Sequence, residues 1–207
     1  MKHKTLVIGI LVCVLAGLTV PLSYAQKKKN QSKKMPSQEE MMARWQAAMT
    51  PGDAHKKLEY FTGVWDVEAQ AWMNSPDSLP SVSKGTAEYK MILGGRFVQQ
   101  EFSGEMMQMP FKGIGFTGYD NVKKKYTSIW IDEMSTAMSV MEGSMNAAGT
   151  TLTLWGKMDE PSTGEKKKDV KYVIHIVDKD THVFEVYDVK TWGDKKPTLK
   201  LTYTRKN

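Results

Sequence analysis

The feature that most constrains the fold is a change of pattern after residue 63, where short alternating runs replace helical spacing. In the first run, over residues 65–71, apolar side chains recur at every second position with polar ones between them. Successive side chains of a β-strand point to opposite faces, so this alternation predicts a half-buried strand. Glycine, proline, asparagine and aspartate then separate further runs at short intervals, as they do in turns. The pattern predicts a series of strands joined by short loops.

About ten strands are predicted, the first beginning at Val64. The others are placed at Lys84–Met91, Phe97–Glu105, Phe111–Tyr119, Tyr126–Asp132, Ser139–Asn146, Thr151–Lys157, Val170–Asp178, His182–Val189 and Leu199–Arg205. Parallel strands need long crossover connections, which this chain does not offer, so the sheet is expected to be antiparallel. Closing it removes both exposed edges, which favours an all-β, closed or nearly closed barrel. A two-layer sandwich is the alternative.

One or two short helices are predicted ahead of the barrel. Ser37 and Glu40 have the spacing of a capping box, which predicts an N-terminal helix over residues 37–50. An apolar stripe follows at helical spacing, formed by Met41, Met42, Trp45 and Met49. A Thr-Pro pair at residues 50–51 begins a second helix. The barrel domain is therefore assigned to residues 51–207, with these helices covering one of its ends.

Residues 1–25 have the layout of a secretory signal peptide. Two lysines precede an apolar run, and small residues follow it, so cleavage is expected near Ala25 and export to the periplasm or beyond. An uncleaved membrane anchor is the alternative, although the apolar run is short for a span. Residues 26–36 are assigned to a flexible, lysine-rich tether. It either touches anionic lipid headgroups weakly or is solvated.

The positive charge of the chain is confined to its start. The formal net charge is +6, but residues 1–34 contain seven lysines and no acidic side chain, which leaves 22 basic and 23 acidic side chains for the remainder. A nucleic-acid-binding domain carries its basic excess on the folded surface, so no nucleic-acid partner is expected. Cys13 is the only cysteine and lies in the leader, which excludes disulfide and thiol chemistry from the mature chain.

Several short segments, taken in order along the chain, resemble a known family. They are His55–Glu59 with Gly63–Val67, Ile92–Phe97, Pro110–Gly113, Gly118–Asn121, Trp130–Asp132 with Ser135 and Thr136, and Tyr203–Lys206. Together they are similar to a bacterial family of unknown function, domain-of-unknown-function family 1579. The resemblance implies a calycin-like barrel, of the lipocalin or fatty-acid-binding type, and brings no established activity or catalytic residues. Within it, the Gly-x-Trp at residues 63–65 resembles the first strand of lipocalins, whose Trp plugs the barrel floor.

The sequence contains no arrangement typical of catalysis or of a metal site. Nucleophilic triads need a Ser, Cys or Thr beside a base, and no Gly-x-Ser-x-Gly segment is present. Three histidines follow the leader, His55, His175 and His182, and none has metal-ligand spacing to another. No catalytic residue, metal or cofactor is therefore assigned, and haem held by one inward histidine is kept as a minor alternative.

Seven side chains are candidates for contacting a ligand inside the barrel: Trp65, Arg96, Trp130, Asp132, His175, Tyr203 and Arg205. Asp132 shares a strand face with Trp130, so it either holds a polar group of a ligand or accepts local hydrogen bonds where its strand ends. Arg205, on the face of Tyr203, either pairs with an acidic head group or forms an exposed strand end.

His175 alternates with Val173 and Val177 and is expected to point inward, as a hydrogen-bonded core residue or a ligand contact. The double glycine before Arg96 indicates a turn or bulge, because no helix pattern follows it to bind phosphate. Gly113 and Gly115 share a strand face and indicate a sharp bend or close packing by a large neighbour.

The 14 methionines after Met1 suit ordinary core filling or an adaptable apolar pocket, with a Cu(I) site as a minor alternative. The sequence favours a module that binds a small apolar or amphipathic molecule inside the barrel. Two alternatives stay open. One is a hydrolase or isomerase that uses Asp132, His175 and Glu101 in the same cavity, and the other is an envelope interaction protein with a filled barrel. The oligomeric state is left open.

Overall fold

The computed structural model describes residues 35–73, 75–106 and 108–206, and within them ten antiparallel strands form a closed barrel. The strands are β1 Gly63–Ala71, β2 Ser81–Ile92, β3 Phe97–Met106, β4 Met109–Asp120, β5 Lys125–Asp132, β6 Ser139–Met145, β7 Thr151–Glu160, β8 Glu165–Ile176, β9 Thr181–Asp188 and β10 Leu199–Arg205. Each strand pairs with its neighbours in the chain, and β1 pairs with β10 to close the ring. The predicted closed barrel is confirmed, and the sandwich alternative is wrong. The predicted signal peptide and nearly all of the tether lie outside the described residues.

Several strands are longer than the sequence predicts, and β2 and β8 differ most at their starts. β2 begins at Ser81 and β8 at Glu165, both ahead of their predicted starts. In β8 the additional residues are charged, and they extend a hairpin in which Glu160 of β7 lies opposite Glu165. Ion pairs join the two arms there, one of them between Lys168 Nζ and Glu160 Oε2 at 3.3 Å. Such cross-strand pairs extend a hairpin without burying apolar surface, so a hydrophobic pattern does not reveal them.

In each strand, every second side chain points into the barrel. In β1 the inner side chains are those of Trp65, Val67, Ala69 and Ala71, as the sequence pattern predicts. The register places Trp65 opposite Arg205 on β10 and opposite Ala87 on β2. A shift of one residue would turn this apolar set outward, so the alternation fixes the register as well as the strand.

Helix α1 spans Gln38–Met49 and begins with the predicted capping box. Ser37 Oγ accepts the N–H of Glu40 at 3.2 Å, and the carboxylate of Glu40 accepts the N–H of Ser37 at 2.8 Å. Within the described part of the chain, no side chain of α1 is buried, and Trp45 of its apolar stripe is 64% exposed. This helix therefore has a capped N-terminus and contributes no buried side chain to the core.

The second predicted helix is a four-residue α-helix, α2, at Asp53–Lys56, followed by a 3₁₀ helix at Lys57–Phe61. The 3₁₀ helix buries Leu58 and Phe61 against the core at the end of the barrel where β1 begins and β10 ends. We call this end the floor, and the opposite end the rim. Among residues 35–206 as described, no helix has the length and apolar character needed to cross a membrane.

The floor is closed by a contact between Arg205 and Trp65. The Arg205 guanidinium lies 4.1 Å from the centroid of the Trp65 ring. Its Nη1 donates to the carbonyl oxygen of Thr62 at 2.7 Å, and its Nη2 donates to that of Tyr60 at 3.0 Å. Trp65 Nε1 in turn donates to the carbonyl oxygen of Phe61 at 2.7 Å. The last strand is thus fastened to the 3₁₀ helix and to the first strand by one side chain, because a planar guanidinium can stack and donate at the same time.

Gly63 is required at this junction for two reasons. Its φ of +113° lies in a region that residues with a Cβ rarely adopt. A Cβ at this position would also lie 3.1 Å from Nη1 of Arg205. The Gly-x-Trp motif therefore combines a turn that only glycine makes easily with space for the arginine over the Trp ring.

Replacing Arg205 with lysine should weaken the floor. The Arg205→Lys variant keeps the charge but loses the fork of donors and the planar stack on Trp65, and charge-assisted hydrogen bonds contribute about 1.5–3 kcal/mol each. We expect the free energy of unfolding, measured with urea, to fall by about 2 kcal/mol. The control is Lys206→Gln, at the next residue and on an exposed side chain, which should change it by less than about 0.5 kcal/mol. Equal effects of the two variants would contradict the role given to Arg205.

Candidate ligand cavity

The barrel encloses a cavity of about 910 Å³ that runs from the floor to the rim. At the floor its lining side chains are buried and include Phe61, Tyr89 and His182. At the rim its lining includes the exposed side chains of Met73 and Val82, so the cavity opens to solvent at that end. Most of the wall between is aliphatic or aromatic. The interior is hollow, which the sequence left open.

Three of the seven predicted ligand contacts line the cavity: Trp130, Asp132 and Tyr203. Trp65 is fully buried in the floor below them, in the place that the Gly-x-Trp resemblance implies. Arg205 also belongs to the floor, where backbone carbonyl oxygens occupy its guanidinium. It is therefore neither an exposed strand end nor a residue of the cavity wall.

Arg96 lies outside the cavity, at the C-terminal end of α1. Its Nη2 donates to the carbonyl oxygen of Met49 at 2.7 Å, and its Nη1 donates to that of Leu93 at 3.0 Å. Asn121 binds the same helix end through the carbonyl oxygen of Thr50 at 2.8 Å. The last carbonyls of a helix carry partial negative charge, so this arginine serves as a cap for α1.

The prediction that His175 points inward is wrong. Its side chain is 46% exposed on the outer surface, with Nε2 3.6 Å from Oε2 of Glu185 and Nδ1 3.3 Å from Oγ1 of Thr151. The inner positions of β8 are those of Tyr172 and Ile174. Within β8 the apolar face is that of Val170, Tyr172, Ile174 and Ile176, and His175 lies on the other, mostly polar face. The prediction judged His175 by Val173 and Val177, but Val177 lies beyond the end of the strand and is exposed.

Trp130 lies flat against the neighbouring strand β4. A Cβ at Gly113 would lie 2.1 Å from an atom of the Trp130 ring, and a Cβ at Gly115 would lie 3.1 Å from another. The two glycines therefore form a shelf for the indole, which confirms the expected close packing by a large neighbour. Phe111 stacks beside the ring, with centroids 6.5 Å apart. Because the indole lies along the wall instead of across the barrel, the space in front of it stays open.

Asp132 ends β5 beside this indole. Its Oδ2 accepts the Nε1–H of Trp130 at 2.8 Å, and its Oδ1 accepts the backbone N–H of Met134 at 2.9 Å. The carboxylate thus makes the local hydrogen bonds that the sequence suggested, and it also lines the cavity. Burial raises the pKa of Tyr172, and the negative charge of Asp132 raises it further, so that hydroxyl stays neutral and can donate.

The deep end of the cavity holds neutral polar groups. Gln100 Nε2 donates to the hydroxyl oxygen of Tyr203 at 3.3 Å. Burial raises the pKa of Tyr203 to about 12, and burial also raises that of Tyr89 well above its usual range. Both hydroxyls are therefore protonated at neutral pH. They can exchange hydrogen bonds with each other or with a ligand, but they carry no charge.

His182 is the functional candidate that the sequence did not single out. It is 1% exposed, and its ring stacks on Tyr203 with centroids 4.2 Å apart and packs edge-on against Trp65 at 4.5 Å. Neither ring nitrogen has a hydrogen-bond partner among the described residues. Burial lowers its pKa to about 3, with the Arg205 charge adding to the effect. Its alternation with Phe184 and Val186 in β9 was the signal that could have placed it inside.

Methionines surround the rim. Met73, Met106, Met134 and Met158 line the cavity there. Met109 and Met138, at the same ends of their strands or just before them, are exposed. Thioether side chains are flexible and polarizable, so they can follow the shape of different apolar molecules that enter. Across residues 35–206 as described, no group of three histidine, cysteine, aspartate or glutamate side chains is placed to hold a metal ion.

These features define a class of protein: closed antiparallel β-barrels with a packed floor and an apolar cavity open at the other end. The chain belongs to the family described as "Protein of unknown function (DUF1579)", whose sequence profile matches residues 50–205. This confirms the family resemblance found in the sequence segments.

Similarity to a solved structure supports the fold. The chain is similar to the crystal structure of Rv2717c from M. tuberculosis, with a TM-score of 0.53 at 12% sequence identity, over 76% of this chain and 100% of that chain. At that identity the similarity shows the fold alone. A comparison with curated proteins found no match.

The titration of His182 makes a prediction about acid stability. Its folded-state pKa, about 3, lies below the value of about 6.5 expected in the unfolded chain, so on acidification the unfolded state takes up the proton first. The stability contributed by the neutral ring is complete above about pH 6.5 and is lost progressively down to about pH 3. Between pH 7 and pH 4.5 this group alone should lower the free energy of unfolding by about 2.5 kcal/mol.

The variant His182→Phe keeps an aromatic ring in the floor and removes the titration. Urea unfolding of both proteins at the two pH values measures the difference, because every other titrating group is common to them. The variant should lose about 2.5 kcal/mol less than the parent protein on acidification. If both proteins lose the same free energy, His182 is not the group responsible.

Proposed function

We propose that this protein binds a small hydrophobic or amphipathic molecule inside its barrel. The observation that carries the proposal is the cavity of about 910 Å³, with largely apolar walls and a few polar groups at defined positions. Ligand pockets generally have volumes of about 300–1,000 Å³ and this mixture of an apolar lining with few polar groups. Unfilled apolar volume costs packing energy, so a molecule bound in this cavity would supply contacts that its walls otherwise lack.

The two alternative functions find less support. The groups considered for catalysis do not converge, since Asp132 lines the cavity while His175 and Glu101 lie on the outer surface. General acid–base chemistry needs its groups within hydrogen-bond reach of one substrate. A filled barrel that serves only as an interaction surface is at odds with the hollow interior. Binding is therefore the function that the geometry favours.

The proposal includes a location outside the cytoplasm. The support comes from the sequence, in which an apolar run follows two lysines and ends in small residues. The lysine-rich residues 26–36 would then form the start of the mature chain, where lysines near an anionic lipid surface contribute about 1 kcal/mol each. Apart from Met35 and Pro36, these residues lie outside the described part of the chain, and both statements stay predictions.

A pair of double variants tests the cavity. Ala69→Phe with Ser128→Phe adds two rings from nearly opposite walls, and we call it the narrowed variant. Gln70→Phe with Thr127→Phe adds the same rings at neighbouring positions on the outer surface. We expect the neutral dye N-phenyl-1-naphthylamine to gain fluorescence with the parent protein. It should bind at least about tenfold more weakly to the narrowed variant, because the added rings occupy its space.

The outside variant should bind the dye as the parent protein does. Binding should also raise the melting temperature of the parent protein, by about 5–10 °C at a dye concentration of about one hundred times Kd, and that of the narrowed variant much less. A parent protein that binds no dye, or a narrowed variant that binds it equally well, would refute the cavity as the binding site.

A further inference from the structure

Building on the proposed binding function, we propose that the cavity selects amphiphiles with a cationic head group, such as an alkyl ammonium, held by Asp132 and the Trp130 ring at the rim. The first support is the sign of charge in the cavity wall. Among the described residues that line it, the ionised side chains are Glu105 and Asp132, both acidic, and neither lysine nor arginine is present. A carboxylate in an apolar wall attracts a cation and repels an anion more strongly than it would in water.

The nearest inward-facing lysine does not reverse this sign. Lys168 lies at the rim end of β8, with its Nζ 3.1 Å from Oδ2 of Asp188 and 3.3 Å from Oε2 of Glu160. Its charge is therefore balanced by two carboxylates. The two arginines that the sequence offered as ligand contacts are also occupied, because Arg96 binds the end of α1 and Arg205 binds the floor. Lys196 also approaches the rim, with its Nζ 5.6 Å from the centroid of the Trp72 ring. Its loop joins β9 to β10, on the opposite side of the ring of strands from β5, which Asp132 ends, so it does not balance the charge at this subsite.

The second support is the geometry around Asp132. Its two oxygens accept one hydrogen bond each, from Trp130 and from the backbone of Met134. A carboxylate can accept about four, so lone pairs remain for a ligand. The Trp130 ring, whose one side rests on Gly113 and Gly115, lines the cavity beside this carboxylate. An ammonium group at this position would meet a negative charge and an aromatic face together, which is the arrangement that recognises organic cations.

The third support is the position of this subsite along the cavity. Asp132 is the last residue of β5, at the rim, whereas the walls deeper in the barrel include Val98, Leu152 and Leu154. A head group at Asp132 would therefore direct an alkyl chain toward the floor. There the chain would meet apolar side chains and the neutral hydroxyls of Tyr89 and Tyr203. The cavity thus has the polarity of an amphiphile that enters tail first.

Three probes of the same chain length separate this inference from the binding function itself. They are decylammonium, decanol and decanoate, each with ten carbon atoms, whose head groups are positive, neutral and negative. Calorimetric titration of the full-length protein, with the narrowed variant as the measure of binding outside the barrel, gives the three affinities. We expect the cation to bind about tenfold more tightly than the alcohol, and decanoate to bind most weakly.

The variant Asp132→Asn should reduce the affinity for the cation about tenfold and leave that for decanol within about twofold, which also shows that the cavity is intact. Glu133→Gln removes the same charge from the next residue, which does not line the cavity, and should change neither affinity by more than about twofold. If decanol binds but the cation binds no more tightly, or if Asp132→Asn leaves its affinity unchanged, the inference is wrong and the binding function stands. If none of the three probes binds, both are wrong.

Discussion

The barrel depends on the contact between the Arg205 guanidinium and the Trp65 ring. Trp65 lies near the start of the first strand and Arg205 ends the last, and they meet where these two strands pair. Because the guanidinium also binds the carbonyl oxygens of Tyr60 and Thr62, one side chain joins the ring closure to the helical cover of the floor. The packed cluster around Trp65 then supplies a core at one end. The walls above this core enclose the cavity. Because the floor supplies the packed core, the rest of the barrel does not have to be filled with side chains.

Alternation in the sequence predicted the closed barrel because most strands have one clearly polar face. It predicted the inner face of β1, where charged and apolar residues alternate. In β8 the wrong face was chosen, because His175 was judged by two nearby valines and not by the apolar series Val170, Tyr172, Ile174 and Ile176. His175 was therefore assigned inward and His182 was overlooked, although the latter is the buried histidine. The partners of Arg205 could not be predicted at all. Thr62 is 143 residues away in the chain, and no local pattern records so distant a contact.

The hollow interior was equally beyond the sequence, for a geometric reason. Gly113 and Gly115 predicted a large neighbour, and the structure identifies it as Trp130. Whether that indole lies along the wall or crosses the barrel depends on the register between β4 and β5, which puts Gly115 directly opposite Trp130. Two absent Cβ atoms let a large ring lie flat, and a ring that lies flat leaves volume unfilled. The cavity therefore depends on the register between β4 and β5, which cannot be predicted from composition.

The charge of the cavity depends on which charged side chains are already bound to other groups of the protein. From the sequence, Arg96 and Arg205 were candidates for holding a polar group of the ligand, and Arg205 for pairing with an acidic head group. In the structure both are bound to backbone carbonyl oxygens, and Asp132 is left facing the interior. An arginine whose N–H groups bind the end of a helix or the floor of the barrel has fewer donors left for a ligand, because a guanidinium has a fixed number of them. The acidic side chains that remain in the wall, Asp132 and Glu105, are the basis of the proposed preference for cations.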